Sequence, residues 1–263
     1  MRLLYVHLFL DICFSIGANG QSTASKWNET RGDVYAGINA STSRYCGDLS
    51  ERYQLAHLQL GSGIEGHIRY RFEEQWCFIS DIGLYHIRGD QHYTKNAANQ
   101  LSFSATNFSA NLGVQWDFRS VDGNDQNILY AIATLGVTSV NPTTTLNGSI
   151  YSLPAFRTEG VSYASWAIQA GYGLGFPFTL SPSAQLRLQG KYTHVFSDRL
   201  DDVSTNYVDK TASTDLEKQL ADKRVGNQLT PNAIGAARGN PTKNDGYFLL
   251  TLQLIYKFRR QKS

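Results

Sequence analysis

The sequence predicts an all-β fold: an eight-stranded antiparallel transmembrane β-barrel with short turns at one rim and long loops at the other. Three observations predict it. Apolar and polar residues alternate over stretches longer than the about 5–6 residues of ordinary globular strands. Short and long connections alternate along the whole chain, as they do in outer-membrane barrels. The 263 residues include 15 Tyr, 13 Phe and 23 Gly but only 17% charged residues, against about 25% in an average soluble chain.

The composition also excludes classes. A mean hydropathy of −0.33, with no apolar run past residue 20 near the about 20 residues a spanning helix needs, excludes a helical membrane bundle. An aromatic content of 12% excludes a disordered chain. A net charge of +2 gives no basic footprint, so no nucleic-acid partner is expected. No nucleotide, haem or zinc motif is present, and no cofactor is expected.

Residues 1–20 read as a secretory signal peptide. Arg2 supplies the positive start, and the apolar run from Leu3 to Ile16 is too short to cross a bilayer, with His7 and Asp11 interrupting it. Ala18-Asn19-Gly20 puts small residues before a cleavage point between Gly20 and Gln21. The barrel domain would then occupy residues 21–263. The other reading is a buried N-terminal strand or helix. Asp11-Ile12 before Cys13 lacks the small residues of a lipoprotein site.

The strands follow in order. A first lies near residues 33–40. In the second, Leu58, Leu60, Ile64, Ile68, Tyr70 and Phe72 alternate with Gln59, Glu65, His67, Arg69 and Arg71. The third alternates Trp76, Phe78, Ile82 and Leu84 with Cys77, Asp81, Gly83 and Tyr85, with Ile79 breaking its polar side. The fourth sets Phe108, Ala110, Leu112, Val114, Trp116 and Phe118 against Ser109, Asn111, Gln115 and Asp117. Leu129 to Val137 mark a fifth. The sixth sets Trp166, Ile168, Tyr172, Leu174, Phe176 and Phe178 against Gln169, Gly171, Gly173 and Gly175. The seventh sets Leu186, Leu188 and Tyr192 against Gln185, Arg187, Gln189 and Lys191. The eighth sets Phe248, Leu250, Leu252, Leu254, Tyr256 and Phe258 against Tyr247, Thr251, Gln253 and Lys257.

The short connections are residues 73–75, 120–126 and 179–183, and the long ones are residues 41–56, 89–100, 141–162 and 197–245. With an even strand number, both termini fall on the periplasmic side of an outer membrane. Aromatic residues cluster at the strand ends next to the short turns, as in an interfacial girdle. A soluble lipocalin-like barrel would point its apolar face inward. It would not place Arg69, Arg71, Arg187 and Lys191 on the opposite face beside so many glycines and glutamines.

Glu65, Arg69, Arg71, Asp81, Asp117, Arg187 and Lys191 all fall on the inferred lumen face. Side chains fill the interior of an eight-stranded barrel, so these charges are expected to pair and plug it. A narrow ion path is the other reading. Gly171, Gly173 and Gly175 alternate within a strand and lack a following helix, so they signal close packing or curvature rather than a phosphate loop.

The stretch from Phe196 to Asp209, FSDRLDDVSTNYVD, resembles a family of outer-membrane barrels. So do Arg238-Gly239-Asn240-Pro241, the following Asn244-Asp245-Gly246-Tyr247-Phe248, and the ending Tyr256-Lys257-Phe258. Tyr45-Cys46-Gly47-Asp48-Leu49 looks like that family's first-loop motif, and Thr158-Glu159-Gly160 like part of its third loop. The family comes from Bacteroidota and includes the PorG-type protein of type IX secretion and gliding. The resemblance implies an outer-membrane barrel that anchors periplasmic ring proteins of such a machinery. Its loop residues carried over here are Asp198, Leu200, Asp201, Asp202, Tyr207, Asp209, Arg238, Gly239, Asn240 and Pro241. Two departures stand out. Cys46 replaces an apolar or aromatic residue, and residues 259–263 follow Phe258, which usually ends the barrel-assembly signal.

Asp198, Asp201, Asp202 and Asp209 could offer oxygen ligands to Ca²⁺, but they lack regular EF-hand spacing. A solvated acidic loop, or one paired with Arg199 and Arg238, is the expected arrangement. His194, Ser197 and Asp198 have the residue types of a catalytic trio, yet His194 has lipid-side parity, so no enzyme is expected. Arg31-Gly32-Asp33 and Arg88-Gly89-Asp90 spell adhesion tripeptides that arise by chance. Cys46, expected in a surface loop, and Cys77, at the far end of the third strand, lie across a hydrocarbon layer about 25 Å tall. Disulfide Cα atoms sit within about 7 Å, so no bridge between them is expected. Two function classes stay open: a structural or anchoring component of a secretion apparatus, and a stand-alone porin-like or surface-binding barrel.

Overall fold

The computed structural model describes residues 27, 29–50, 57–94, 96–118 and 129–258. The expected signal peptide, the fourth-to-fifth strand turn and residues 259–263 lie outside the described residues.

The wall consists of β1 (Val34–Cys46), β2 (Leu60–Arg71), β3 (Trp76–Asp90), β4 (Ser102–Phe118), β5 (Leu129–Ser139), β8 (Trp166–Thr179), β9 (Ala184–Val195) and β10 (Gly246–Phe258). A short hairpin, β6 (Thr143–Leu146) and β7 (Ser149–Ser152), extends the sheet beyond β4. Neighbouring strands are antiparallel, and β3–β4 together with β1–β10 complete the ring. Closure is what a bilayer demands, because lipid offers no hydrogen-bond partner to an open sheet edge.

The register fixes the shape. Followed once around the ring, the partners run Phe258, Val34, Tyr70, Phe78, Val114, Ala133, Tyr172, Tyr192 and Phe248. The path returns to β10 ten residues from its start, so the shear is ten. With strands about 4.8 Å apart and a rise of about 3.3 Å per residue, that shear gives a tilt of about 40° and a radius of about 8 Å.

Alternation decides which side chains face where. Leu112, Leu135 and Ile38 are more than 60% exposed on the outer wall, whereas Gln253, Asn111 and Arg187 are less than 5% exposed within. This inverts a soluble protein and settles the choice against an inward apolar face. Tyr70, Trp76, Trp116, Phe176, Phe178, Tyr256 and Phe258 project outward at the short-turn rim. Trp76 and Trp116 are register partners with stacked rings at 6.1 Å.

The structure corrects several boundaries. β1 continues to Cys46, so Cys46 ends a strand rather than sitting in a loop. β3 reaches Asp90 and β4 begins at Ser102, which shortens the second long connection. The third long connection contains the β6–β7 hairpin, joined to β4 through Ser104 and Thr143. Polar residues such as Ser104 and Thr106 are tolerated on these extensions because they rise above the apolar belt. The signal missed was an alternation of inverted sense, with Phe103 and Ala105 turned inward and Ser104 and Thr106 outward. Gly175 illustrates why the glycines of β8 are needed: a Cβ there would run into the Tyr130 ring.

The outward position of Leu112 near mid-belt yields a test. Leu112→Arg should destabilise the lipid-folded barrel by about 2–4 kcal/mol in a reversible folding titration. The same change at exposed Thr106, above the belt, should cost much less.

Candidate functional site

Two polar assemblies occupy the interior. The lower one lies within the barrel. Asp81 contacts His67 Nδ1 at 2.7 Å, accepts from Asn39 Nδ2 at 3.2 Å and lies 3.9 Å from Lys191 Nζ. Lys191 is also 3.9 Å from Glu65. Asn39 Oδ1 accepts from Gln253 Nε2 at 2.8 Å, and Arg187 donates to Gln253 Oε1 at 3.0 Å and Gln115 Oε1 at 2.7 Å. Gln115 donates to Asp117, Asp117 pairs with Arg71, and Arg71 shares Glu29 with Arg69. The chain of contacts therefore crosses the whole lumen.

The charges balance. Arg69, Arg71, Arg187 and Lys191 stand beside Glu29, Glu65, Asp81 and Asp117. All seven lumen residues singled out in the sequence are buried. Arg187, however, pairs with amides and lies 3.7 Å over the Tyr130 ring, not with a carboxylate. Arg69 similarly covers the Tyr35 ring at 4.0 Å. Sequence reading missed Glu29, which reaches in from the segment before β1, because strand parity says nothing about residues outside strands. Glu29, Cys77 and Asp117 offer three metal-ligating atoms within 4.8 Å. Arg71 already pairs with both carboxylates, which leaves little charge to attract a cation.

Above this layer, Tyr85 and Tyr247 stack at 4.2 Å and Tyr247 donates to Gln169 at 2.9 Å. Next comes an apolar cluster that includes Leu49, Phe103, Leu153, Leu200 and Val203. The loops supply much of it, so the long-loop mouth has its own hydrophobic core.

The second polar assembly caps that core, and all four loop motifs meet there. Thr205 and Tyr207 exchange backbone hydrogen bonds with the 235–239 segment, and Asn206 bridges Ala237. Two stretches some thirty residues apart thus pair directly. Glu159 sits between them, 4% exposed. It accepts from the Ser204 backbone at 2.8 Å, Thr205 Oγ1 at 2.7 Å, Arg199 at 2.8 Å and Arg238 at 3.0 Å. Arg238 also reaches Asp202 at 3.3 Å and the Ala221 carbonyl at 3.3 Å. Asp202 accepts from Tyr163 at 2.9 Å and from Thr158. Asp48 accepts from the Asn240 backbone at 2.5 Å. Gly239 is glycine because a Cβ would press within 3 Å of the Ser204 nitrogen and the Asp48 carboxylate.

The expected solvated acidic loop is therefore corrected: Asp198, Asp201 and Asp202 are buried, and only Asp209 of the four is exposed, where it bonds Thr211. Pairing of the two motif stretches draws them under the cap. The expected Arg238 pairing goes to Asp202 and Glu159, while Arg199 goes to Glu159. Leu200 belongs to the apolar cluster, Tyr207 is buried, and Pro241 is exposed. His194, Ser197 and Asp198 do not assemble: His194 faces outward against Phe196 and Asn244, and Asp198 is buried.

The cap holds more acid than base. Tyr45 Oη lies 2.6 Å from Asp201 and 2.5 Å from Asp245. A phenol has one proton, so one contact requires a protonated carboxyl donating back. Burial, then neighbouring carboxylates, holds Asp245 well above the usual carboxylate range, and burial does the same for Asp201. Burial pushes Asp198 up to about 7; it lies beside Ser204 with neither carboxylate oxygen well hydrogen-bonded. Glu159 moves the other way. Its burial opposes ionisation, but Arg238 and the Ser204 and Thr205 donors outweigh that and lower it.

A family model for an outer membrane protein beta-barrel domain matches residues 12–215. No curated protein sequence matches significantly. Among solved structures, Neisserial surface protein A is similar at 14% identity and a TM-score of 0.45, covering 86% of this chain and 97% of that one. OprG from Pseudomonas aeruginosa shares 12% identity at a TM-score of 0.45, covering 90% and 100%. Ail of Yersinia pestis shares 12% at 0.42, covering 87% and 100%.

Two outcomes test the cap. Glu159→Ala removes one of the two carboxylates paired with buried Arg238 and leaves Asp202 alone with it, a loss of up to about 3–5 kcal/mol, the cost of breaking a buried pair outright. Loop segments 197–245 should become protease-sensitive in this variant while the barrel keeps its heat-dependent gel shift. The second outcome concerns pH. Groups whose folded pKa is raised favour the protonated cap, so their contribution is complete below about 4 and is lost as pH rises through about 7. Glu159, lowered from 4.5, acts only below that value and in the opposite direction. Hydrogen exchange of the cap should therefore slow from pH 8 to pH 5, after correction for intrinsic rates, and Asp198→Asn should flatten the change.

Proposed function

The chain belongs to the outer membrane protein beta-barrel domain family, and from that premise we propose that it is a plugged, non-enzymatic barrel with a structural or anchoring role. In this reading the short-turn rim and both termini lie in the periplasm. The role resembles that of the PorG-type protein of type IX secretion, with periplasmic ring proteins as partners. The single observation that carries the reading is the convergence of four family-like stretches (residues 45–49, 158–160, 196–209 and 238–241) in one buried cap over a charge-balanced lumen. Such an interior leaves no water-filled path, so the work falls to the two rims. At the turn rim, Glu73 and Glu74 are exposed, and Glu73 pairs with Arg31 at 3.5 Å.

A second reading is a stand-alone porin-like or surface-binding barrel acting through its loops. It is favoured by the β6–β7 hairpin, whose outer edge is unpaired among the described residues and carries Ile150 at 75% exposure. Affinity capture from detergent-solubilised outer membrane separates the two. Stoichiometric periplasmic ring proteins, lost on Glu73→Lys with Glu74→Lys, are the outcome expected for the anchor. Their absence favours the loop-acting barrel. In planar bilayers the plugged barrel should give no steady large conductance, and Glu159→Ala should not create one, because the lower network remains.

A further inference from the structure

Three of the lumen carboxylates stand on wall strands: Glu65 on β2, Asp81 on β3 and Asp117 on β4. Glu29 does not. It lies on the segment ahead of β1, and its side chain is 6% exposed. Among the described residues, the first backbone hydrogen bond from that segment to the wall is Gly32 N to the Arg71 carbonyl, at 2.8 Å. Ahead of it, side chains hold the segment to the barrel. Glu29 meets Arg69 and Arg71, Arg31 meets Glu73, and the Trp27 ring lies 5.7 Å from the Tyr35 ring. Glu29 is thus a lumen charge on a segment outside the sheet.

The two arginines do not need Glu29 to hold their positions. The Arg69 guanidinium covers the Tyr35 ring at 4.0 Å, with Nη1 3.8 Å from Cys77 Sγ. Arg71 pairs with Asp117 and donates to the Glu74 carbonyl at 2.6 Å. Without Glu29, two guanidiniums face one carboxylate, so the site carries a net positive charge. Arg71 ends β2 beside a short turn, which puts the site at the short-turn mouth.

The grip on Glu29 defines the ligand. Arg69 donates from both terminal nitrogens, Nη1 to Oε2 at 3.1 Å and Nη2 to Oε1 at 2.5 Å. Arg71 reaches Oε2 as well. This two-pronged planar contact suits a carboxylate. Trp27 Nε1 completes it, donating to Oε1 at 2.7 Å. The buried Nε atoms of both arginines lack an acceptor among the described residues, so Glu29 does not saturate the pair.

We propose that Arg69 and Arg71 form a carboxylate-binding site at the short-turn mouth, filled in this chain by its own Glu29 and open by exchange to an acidic side chain on an extended segment of a periplasmic partner. Exchange rather than vacancy is required, because an empty site leaves a buried charge uncompensated. A short tether gives Glu29 an effective concentration of about a millimolar. A partner carboxylate therefore displaces it only when that partner is also held elsewhere on the rim, which ties the exchange to docking. The periplasmic placement rests on the orientation proposed above, whereas the site does not.

The test uses the full chain in detergent and a dye-labelled peptide copying residues 26–32, blocked at both ends so that its glutamate is its one carboxylate. Fluorescence polarisation reads binding. Trp27→Ala with Glu29→Gln weakens the chain's own occupant, and this variant should bind the peptide at least about tenfold more tightly than the unaltered chain does. A peptide with glutamine in place of the glutamate should bind at least about tenfold more weakly. Adding Arg69→Gln to the double variant should abolish binding while the heat-dependent gel shift persists. Absence of saturable binding to the double variant would overturn the proposal. So would equal binding of the glutamine peptide, or equal binding by the unaltered chain. Displacement by acetate at the peptide's own concentration would also overturn it and assign the site to a free carboxylate. Because the peptide reads the site in either orientation, a failure to capture ring proteins removes the anchoring role and not this site.

Discussion

A hydrogen-bonded strand in lipid cannot leave an edge open, and the rest of this structure follows from that constraint. The ring closes after a shear of ten, which sets the tilt and a radius too small for an empty interior. Side chains must then fill the axis, and alternation dictates that they are the polar ones. Burying eight charges would be prohibitive if they stood alone. Here each of the four carboxylates lies within reach of a cation, and Arg187 is satisfied by two amides and an aromatic face.

The loop end obeys a different economy. It lies above the apolar belt, so it folds by ordinary burial of apolar side chains against a core of its own. Glu159 and Arg238 fasten the segments over that core, and each motif stretch supplies a part of the fastening. The surplus of acid near Tyr45 makes the closed cap a state that holds protons. Lumen and cap are therefore independent in their forces: one answers to charge balance, the other to burial and protonation.

Much of the wall was legible in the residues themselves. Period-two alternation placed Arg69, Asp81, Asp117 and Lys191 inside and Leu112 and Ile168 outside, because parity in a strand is a strict geometric rule. Strand ends were less legible. Above the belt, the extensions Ile87–Asp90 and Ser102–Asn107 invert the alternation, with Ile87, Phe103 and Ala105 turned inward and Arg88, Ser104 and Thr106 outward, so the lipid-facing rule does not read them. Partner identity was legible only in part. Glu29 precedes the first strand, and the amide partners of Arg187 come from β4 and β10, which only the closed register brings together. The loop aspartates suggested a solvated surface because nothing local reveals that residues 204–207 pair with residues 235–239.

The central claim is that apolar side chains face lipid and polar ones face an enclosed axis. Nitroxide scanning of residues 109–114 on β4 in lipid vesicles tests it most directly, with oxygen and a water-soluble nickel chelate as competing relaxants. The account predicts oxygen maxima at 110, 112 and 114, and low access to both relaxants at 109, 111 and 113. Nickel access at the even positions, or no period of two, would contradict it.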